Sequence, residues 1–167
     1  MRKRQLIAQA LHYSGTLGVL NYGYWGSGRL TVLAYHRITD VNAPDFYGFA
    51  PNVSASVSDF EKQMKWVSEN FNVIDLDQLR QYILADATLP PRPLLITFDD
   101  GYQDNYDNAF PILKKYNLPG VIFTVTGRMT NPTPLWWDVC AQAFRESKVS
   151  EADLPYIGVR QINESTQ

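Results

Sequence analysis

Asp99 and Asp100 stand side by side at the end of Leu94-Leu95-Ile96-Thr97-Phe98, and Gly101-Tyr102 follow them. On an extended backbone, successive side chains point to opposite sides, so each carboxylate can take its own partner and its own task. Gly101 lets the chain turn sharply and brings backbone close to whatever the carboxylates hold. A plain turn is the competing reading, since Asp-Gly is a favoured type I′ hairpin pair and Asp also opens helices well. A hairpin needs a second strand, however, and Tyr102-Gln103-Asp104-Asn105-Tyr106-Asp107-Asn108 reads as the polar opening of a helical segment. His36 closes another apolar run, Leu30-Thr31-Val32-Leu33-Ala34-Tyr35. If both runs are parallel strands, His36 faces the same edge as Asp99; the alternative is a structural histidine bonded to backbone.

The elements that must hold these side chains follow from the apolar spacing. The run before Asp99 lacks strict polar alternation, which suits a strand buried on both faces of a helix-covered parallel sheet. The carboxyl end of such a strand is where ligands and catalytic groups collect in α/β folds. Residues 40–56, with Pro44, Gly48 and Pro51, read as a loop on that edge. Ser58 and Glu61 are spaced as a capping box for a helix with Phe60, Met64 and Val67 on one face, an ordinary core stripe. Val73-Ile74 is a short second strand, and Asp75 and Gln78 open another helix with Leu79 and Ile83 facing in. Pro90, Pro91 and Pro93 end that segment before the central strand. Tyr106, Phe110 and Leu113 recur at helical spacing, and Pro111, acceptable only in a first turn, places the start of the main helix near Asn108. Pro119-Gly120 lead into a strand over residues 121–125. A Pro-Thr-Pro loop precedes a helix carrying Trp136, Trp137 and Phe144, whose tryptophans either stack on sugars or pack the helix onto its sheet. Strand and helix alternate, giving about four parallel βα units with right-handed crossovers.

Composition narrows the classes. The 167 residues are 45% hydrophobic and 13% aromatic, enough for one globular domain with a core and unlike a disordered chain. A net charge of −2 gives no electrostatic case for nucleic acid. The single cysteine, Cys140, excludes a disulfide-stapled scaffold. Arg2-Lys3-Arg4 precede Leu6-Ile7-Ala8, but Gln9, His12 and Ser14 interrupt the apolar region and no clean small-residue cleavage site follows, against a signal peptide. No stretch approaches the roughly 18 apolar residues of a membrane-spanning helix. Leu6, Ala10, Tyr13, Leu17 and Leu20 recur at helical spacing behind the basic cluster. That pattern fits an amphipathic helix whose residues 2–20 contact an anionic membrane surface, or one docked on its own domain. His12 within it is a bystander. The expected location is cytoplasmic or at the membrane periphery. Gly23, Gly26 and Gly28 break the helix, and beyond Val149 the pattern thins into a tail expected to be loosely ordered.

Thr97-Phe98-Asp99-Asp100-Gly101-Tyr102 resembles the first motif of the polysaccharide deacetylases, carbohydrate esterase family 4. Leu33-Ala34-Tyr35-His36-Arg37 agrees upstream, and Ala109-Phe110-Pro111-Ile112-Leu113-Lys114-Lys115-Tyr116 with Leu118-Pro119 agrees downstream. Val121-Ile122-Phe123-Thr124-Val125-Thr126-Gly127 and Trp136-Trp137-Asp138 are similar to the branch whose first strand ends in Tyr-His. The likeness spans residues 30–143. It implies the N-terminal part of a distorted (β/α) barrel, left incomplete at about four strands with an exposed sheet edge. The implied organisation is a helix and glycine-rich linker over 1–29, a partial deacetylase domain over 30–149 and a tail over 150–167.

The resemblance also implies chemistry: metal-assisted removal of N-acetyl groups from an amino-sugar polysaccharide. Asp99 takes the general-base position and Asp100 a metal-ligand position, with His36 and Tyr102 as candidate pocket residues. The metal is divalent, expected to be zinc, which lowers the pKa of bound water and polarises the acetamide carbonyl. A later His-rich motif supplies two further ligands in the family, yet no histidine follows His36. Catalytic zinc takes three protein ligands plus water, so the expectation is a chain that binds metal weakly and is inactive as it stands. The alternatives are a non-catalytic remnant that binds glycan or a protein partner, and a second chain that completes the barrel.

Overall fold

The computed structural model describes residues 29–131, 133–148, 151–154 and 158–161. The expected N-terminal helix, with His12 and the basic cluster, lies outside the described residues. In chain order the elements are β1 (Thr31–Tyr35), β2 (Arg37–Ile38), a 3-10 turn (Ala50–Asn52), β3 (Val53–Ala55), α1 (Val57–Asn70), β4 (Asn72–Val73) and α2 (Leu76–Leu84). There follow β5 (Pro93–Asp100), a π-turn (Asn105–Ala109), α3 (Phe110–Lys115), β6 (Val121–Thr124), α4 (Gly127–Thr130), α5 (Trp136–Glu146), β7 (Glu151–Leu154) and β8 (Gly158–Gln161). Among the described residues no helix is long and apolar enough to cross a membrane.

The sheet is built on β5, whose residues 93–98 are all buried. β1 runs parallel to it, with Thr31 opposite Leu94 and Tyr35 opposite Phe98. β4 pairs with its start, Val73 opposite Leu94, and β6 with its end, Thr97 opposite Val121 and Asp100 opposite Thr124. Leu94 is thus partnered from β1 and β4, and Phe98 from β1 and β6. β4 and β6 therefore share the edge of β5 that faces away from β1. All these pairs are parallel, as crossover helices require, and the strands do not close into a barrel. The architecture is the incomplete α/β arrangement read from the sequence.

Phe60 of α1 packs edge-on to Tyr35 (5.2 Å between ring centres) and Phe98 (5.9 Å), while Tyr35 and Phe98 stack at 5.6 Å. This aromatic trio is the hub of the core, with Met64, Val67, Leu94, Ile96, Ile112 and Leu113 around it. It also sets the site, because His36 and Asp99 are the next residues after Tyr35 and Phe98.

Several local expectations are corrected. α1 is capped by Ser56, whose Oγ accepts from the Asp59 amide at 3.2 Å, rather than by a Ser58–Glu61 box. The box at α2 does form: Asp75 Oδ1 accepts from the Gln78 amide at 2.7 Å, and Gln78 Oε1 from the Asp75 amide at 3.0 Å. Ile83, expected to face in, is 66% exposed, because no second layer of described residues covers that face of α2. β1 is only half buried, with Val32 and Ala34 open to solvent. Tyr106 and Phe110 are exposed and stack on each other at 5.7 Å, while Asn105, Ala109, Ile112 and Leu113 face the core. Asn105, Ala109 and Ile112 keep the i, i+4, i+7 spacing of a helix, so the buried stripe lies one residue from the Tyr106–Phe110 stripe. Within residues 150–167, β7 and β8 form an antiparallel ladder, Glu151 opposite Gln161 and Leu154 opposite Gly158.

Candidate functional site

β1 and β5 deliver His36, Asp99 and Asp100 to one end of the sheet. His36 Nε2 lies 4.0 Å from Asp99 Oδ2, and both side chains are about two-fifths exposed, at 41% and 40%. An ion pair at that distance and exposure is weak. It fixes a location more than it adds stability. Asp100 turns out of the strand with φ +71°, and Gly101 follows with φ +70°. A non-glycine residue in the left-handed region is strained, and such strain clusters at functional sites. Two consecutive positive φ values are what a type I′ turn demands, yet helix follows rather than a returning strand. Burial pushes the Asp100 carboxyl above its ordinary range; nearby Asp99 and Asp138 push the same way, and His36 opposes them. A Cβ on Gly101 would come within 3.0 Å of the Thr124 side chain, so β6 presses against this turn.

The backbone bearing His36 is held from both sides. Its N–H donates to Ser54 Oγ at 2.9 Å, and its carbonyl accepts from Asn105 Nδ2 at 2.7 Å. Two residues on, the Ile38 N–H donates to Asp104 Oδ1 at 2.9 Å and the Ile38 carbonyl accepts from Asn108 Nδ2 at 2.8 Å. Asp104, Asn105 and Asn108, read from the sequence only as a polar helix opening, thus clamp residues 36–38.

Arg37 between them points inward. Its Nε donates to Asp104 Oδ2 at 2.8 Å, with the two side chains 14% and 10% exposed, and its Nη1 donates to the Tyr47 carbonyl at 2.6 Å. Its guanidinium lies over the rings of Tyr102 (4.7 Å) and Phe46 (5.2 Å). Tyr102 is locked further. Its hydroxyl donates to Asp138 Oδ2 at 2.8 Å and accepts from Trp137 Nε1 at 2.8 Å. Burial raises the Tyr102 phenol above its usual value, the Trp137 and Asn52 contacts oppose the rise, and the Asp138 carboxylate adds to it. The candidates His36, Asp99, Asp100 and Tyr102 therefore share one end of the sheet, and Arg37, Asp104, Asn105 and Asp138 are the residues that sequence reasoning did not assign a part.

A divalent metal finds an incomplete ligand set here. Among the described residues no three His, Cys, Asp or Glu side chains converge as the ligands of one ion. The 167 residues contain two histidines, His12 and His36. The described residues do not by themselves supply the three protein ligands that a zinc centre takes.

The described strands form a parallel sheet with two adjacent carboxylates at the carboxyl end of its central strand. Residues 86–150 match the family model described as polysaccharide deacetylase. The poly-β-1,6-N-acetyl-D-glucosamine N-deacetylase of Staphylococcus aureus (strain MSSA476) is 36% identical over 105 residues, 58% of this chain and 36% of that protein. Of solved structures, the de-N-acetylase from Aggregatibacter actinomycetemcomitans superposes with a TM-score of 0.54 at 29% identity, covering 64% of this chain and 43% of that one. IcaB from Ammonifex degensii gives a TM-score of 0.50 at 28% identity over 59% and 39% of the two chains. The chain is similar to part of a polysaccharide deacetylase domain. It spans about a third of the length of the curated relatives it matches, 32% and 36% for the first two.

Proposed function

We propose that this chain supplies the carboxylate half of a centre that removes N-acetyl groups from an amino-sugar polymer. The single observation that carries the reading is the placement of Asp99, Asp100 and His36 together at the open carboxyl end of the sheet, Asp99 being 4.0 Å from His36 Nε2. Asp99, accessible to solvent, is the general base, positioned to take a proton from a water attacking an acetamide carbonyl. Asp100, turned away by its left-handed backbone, is a ligand for a divalent metal, expected to be zinc. The substrate class is drawn from the Staphylococcus relative, a poly-β-1,6-N-acetyl-D-glucosamine deacetylase. The remaining ligands come from outside the described residues, and a second polypeptide that completes the barrel is one source.

The incomplete ligand set favours a second reading, in which the chain by itself is non-catalytic and binds glycan or a protein partner. Zinc titration calorimetry, beside an acetate-release assay on β-1,6-linked N-acetylglucosamine oligomers, tests whether the chain is catalytic by itself. The full chain alone is expected to bind zinc weakly and to release no acetate. Losing ligands removes most of a site's affinity, since even outer-shell losses cost about 10–100-fold. Acetate release abolished by Asp99→Asn would overturn the non-catalytic reading. Stoichiometric submicromolar zinc binding would show that the chain assembles a full ligand set. Contact of residues 2–20 with anionic membranes is a separate proposal, tested by vesicle co-sedimentation.

A further inference from the structure

Asp138 is a carboxylate with 3% exposure on the inward face of α5, and neither of its oxygens is spare. Oδ1 accepts the Phe49 amide at 2.7 Å, and Oδ2 accepts the Tyr102 hydroxyl at 2.8 Å. Those partners lie 89 and 36 residues away in sequence. One carboxylate therefore joins the strap around Phe49 to the residue that follows the Asp99-Asp100-Gly101 turn. The strap is tied from other sides as well. Arg37 holds the Tyr47 carbonyl, and Arg145 Nη2 donates to the Gly48 carbonyl while its guanidinium lies 5.4 Å from the Phe46 ring centre.

The donor inventory at this point admits only a carboxylate. The Phe49 N–H and the Tyr102 O–H are both donors aimed at Asp138, and the Tyr102 oxygen already accepts from Trp137 Nε1. An asparagine has one acceptor oxygen and one donor nitrogen. With its nitrogen toward Phe49, two N–H groups confront each other. With its nitrogen toward Tyr102, the phenol oxygen receives two donors and its own proton loses its acceptor. Either way a buried donor is left unpaired, the costly outcome for a polar network.

From this arrangement we propose that Asp138 is a positioning residue for the Asp99–Asp100 site. Through the Tyr102 hydroxyl it fixes the ring beside the carboxylate turn, and through the Phe49 amide it fixes the strap that walls the same end of the sheet. The inference rests on the amino-sugar reading above for its ligand, but not for its geometry. The simpler role, a buried polar tie that holds the strap alone, makes a different prediction.

The experiment uses the full chain in three forms, Asp138→Asn, Tyr102→Phe and the double variant. Its first readout is the backbone amide resonances of Gly101 and Phe49 and the indole N–H resonance of Trp137. Its second is the affinity for a β-1,6-linked N-acetylglucosamine oligomer. Asp138→Asn is expected to move the Gly101, Phe49 and Trp137 resonances together, leaving Gly120 in place, and to weaken oligomer binding roughly tenfold, the effect of one hydrogen bond to a charged group. In the Tyr102→Phe background the same substitution should weaken binding little further, since the phenol carries the effect. Movement of Phe49 alone, or full additivity of the two substitutions, would overturn the proposal in favour of a strap-holding role. If Asp138→Asn does not fold, Tyr102→Phe decides, because it leaves the Phe49 bond intact and should still move Gly101 and Trp137; unmoved resonances would sink the proposal. Failure of the unaltered chain to bind oligomer refutes the amino-sugar reading alone, and the resonances then settle the position of Asp138.

Discussion

Gly48→Ala is the most severe small substitution the structure offers. Gly48 has φ +119°, in the region that side chains rarely adopt. A Cβ there would lie 2.5 Å from Asp138 Oδ1, 2.7 Å from Arg37 Nη1 and 3.0 Å from Asp138 Cγ. Two costs combine. The backbone strain of a non-glycine residue in a sparsely populated region is about 1–3 kcal/mol. The steric part cannot be relieved by a flexible side chain, because Asp138 is buried and bonded on both oxygens and Arg37 is ion-paired to Asp104. Moving the carboxylate weakens at least one hydrogen bond to a charged group, worth about 1.5–3 kcal/mol. The sum is about 2.5–6 kcal/mol, which lowers the thermal midpoint of a domain of this size by about 5–25 °C. Gly127 is the control, because a Cβ there meets nothing within 4 Å. Gly127→Ala should leave the midpoint unchanged or raise it slightly. Urea or thermal unfolding of the two variants beside the unaltered chain is the assay. A Gly48→Ala chain whose midpoint matches that of Gly127→Ala would refute the claim that Asp138 and Arg37 are fixed.

Phe60→Ala removes the ring that braces both Tyr35 and Phe98 and should cost about 3–5 kcal/mol in urea unfolding, with the His36 resonances shifting although His36 is untouched. Asp75→Ala breaks the capping box of α2 and should cost about 1 kcal/mol, read by the same unfolding assay. Lys115→Met removes a solvent-screened pair with Glu61, the two side chains being 60% and 40% exposed, and the midpoint should hardly move. Asp100→Asn should stabilise the chain near neutral pH and flatten the fall in its stability as pH rises above about 4. The sign follows from burial: a carboxyl whose folded pKa is raised contributes stability below its unfolded value and loses it as pH rises through the folded one. Thermal midpoints across that range check it, and a variant with a midpoint below that of the unaltered chain at pH 7 would refute it.

What could be read from the sequence and what could not divide along a physical line. Residues 93–98 announced a doubly buried strand because burial on both faces leaves no room for polar alternation, and the two carboxylates after it marked where the strand meets solvent. The Asp75–Gln78 box was legible because both partners lie within one turn. The cap of α1 was read two residues late, at Ser58, because Ser58 and Glu61 fit the box spacing, whereas the Asp59 amide bonds Ser56. Helical spacing alone did not show that the stripe with Asn105 and Ala109, rather than the one with Tyr106 and Phe110, faces the core. Ile83 was placed inward on the assumption of a covering layer that the described residues do not provide. Asp138 was quoted as part of Trp136-Trp137-Asp138, but its partners are long-range. The available signal was an acidic residue on the inward face of an amphipathic helix, which must find donors somewhere if it is buried.

The conflict at Asp100 carries the functional argument further than any resemblance. Folding alone disfavours an aspartate there: the backbone is left-handed, the carboxyl is partly buried, and Asp99 and Asp138 add negative charge from two sides. Glycine would relieve the first problem and asparagine most of all three, since it tolerates positive φ and carries no charge. A sequence selected only for a stable half-sheet has no reason to keep a carboxylate in that position. The surrounding structure nonetheless holds it there, with Gly101 pressed on Thr124 on one side and Tyr102 pinned by Asp138 and Trp137 on the other. An anionic group maintained against its own folding preference, beside a second carboxylate and a histidine, is what a site for a cation or a polar reaction centre demands. The stability gained on Asp100→Asn therefore measures what the fold gives up to keep the carboxylate there.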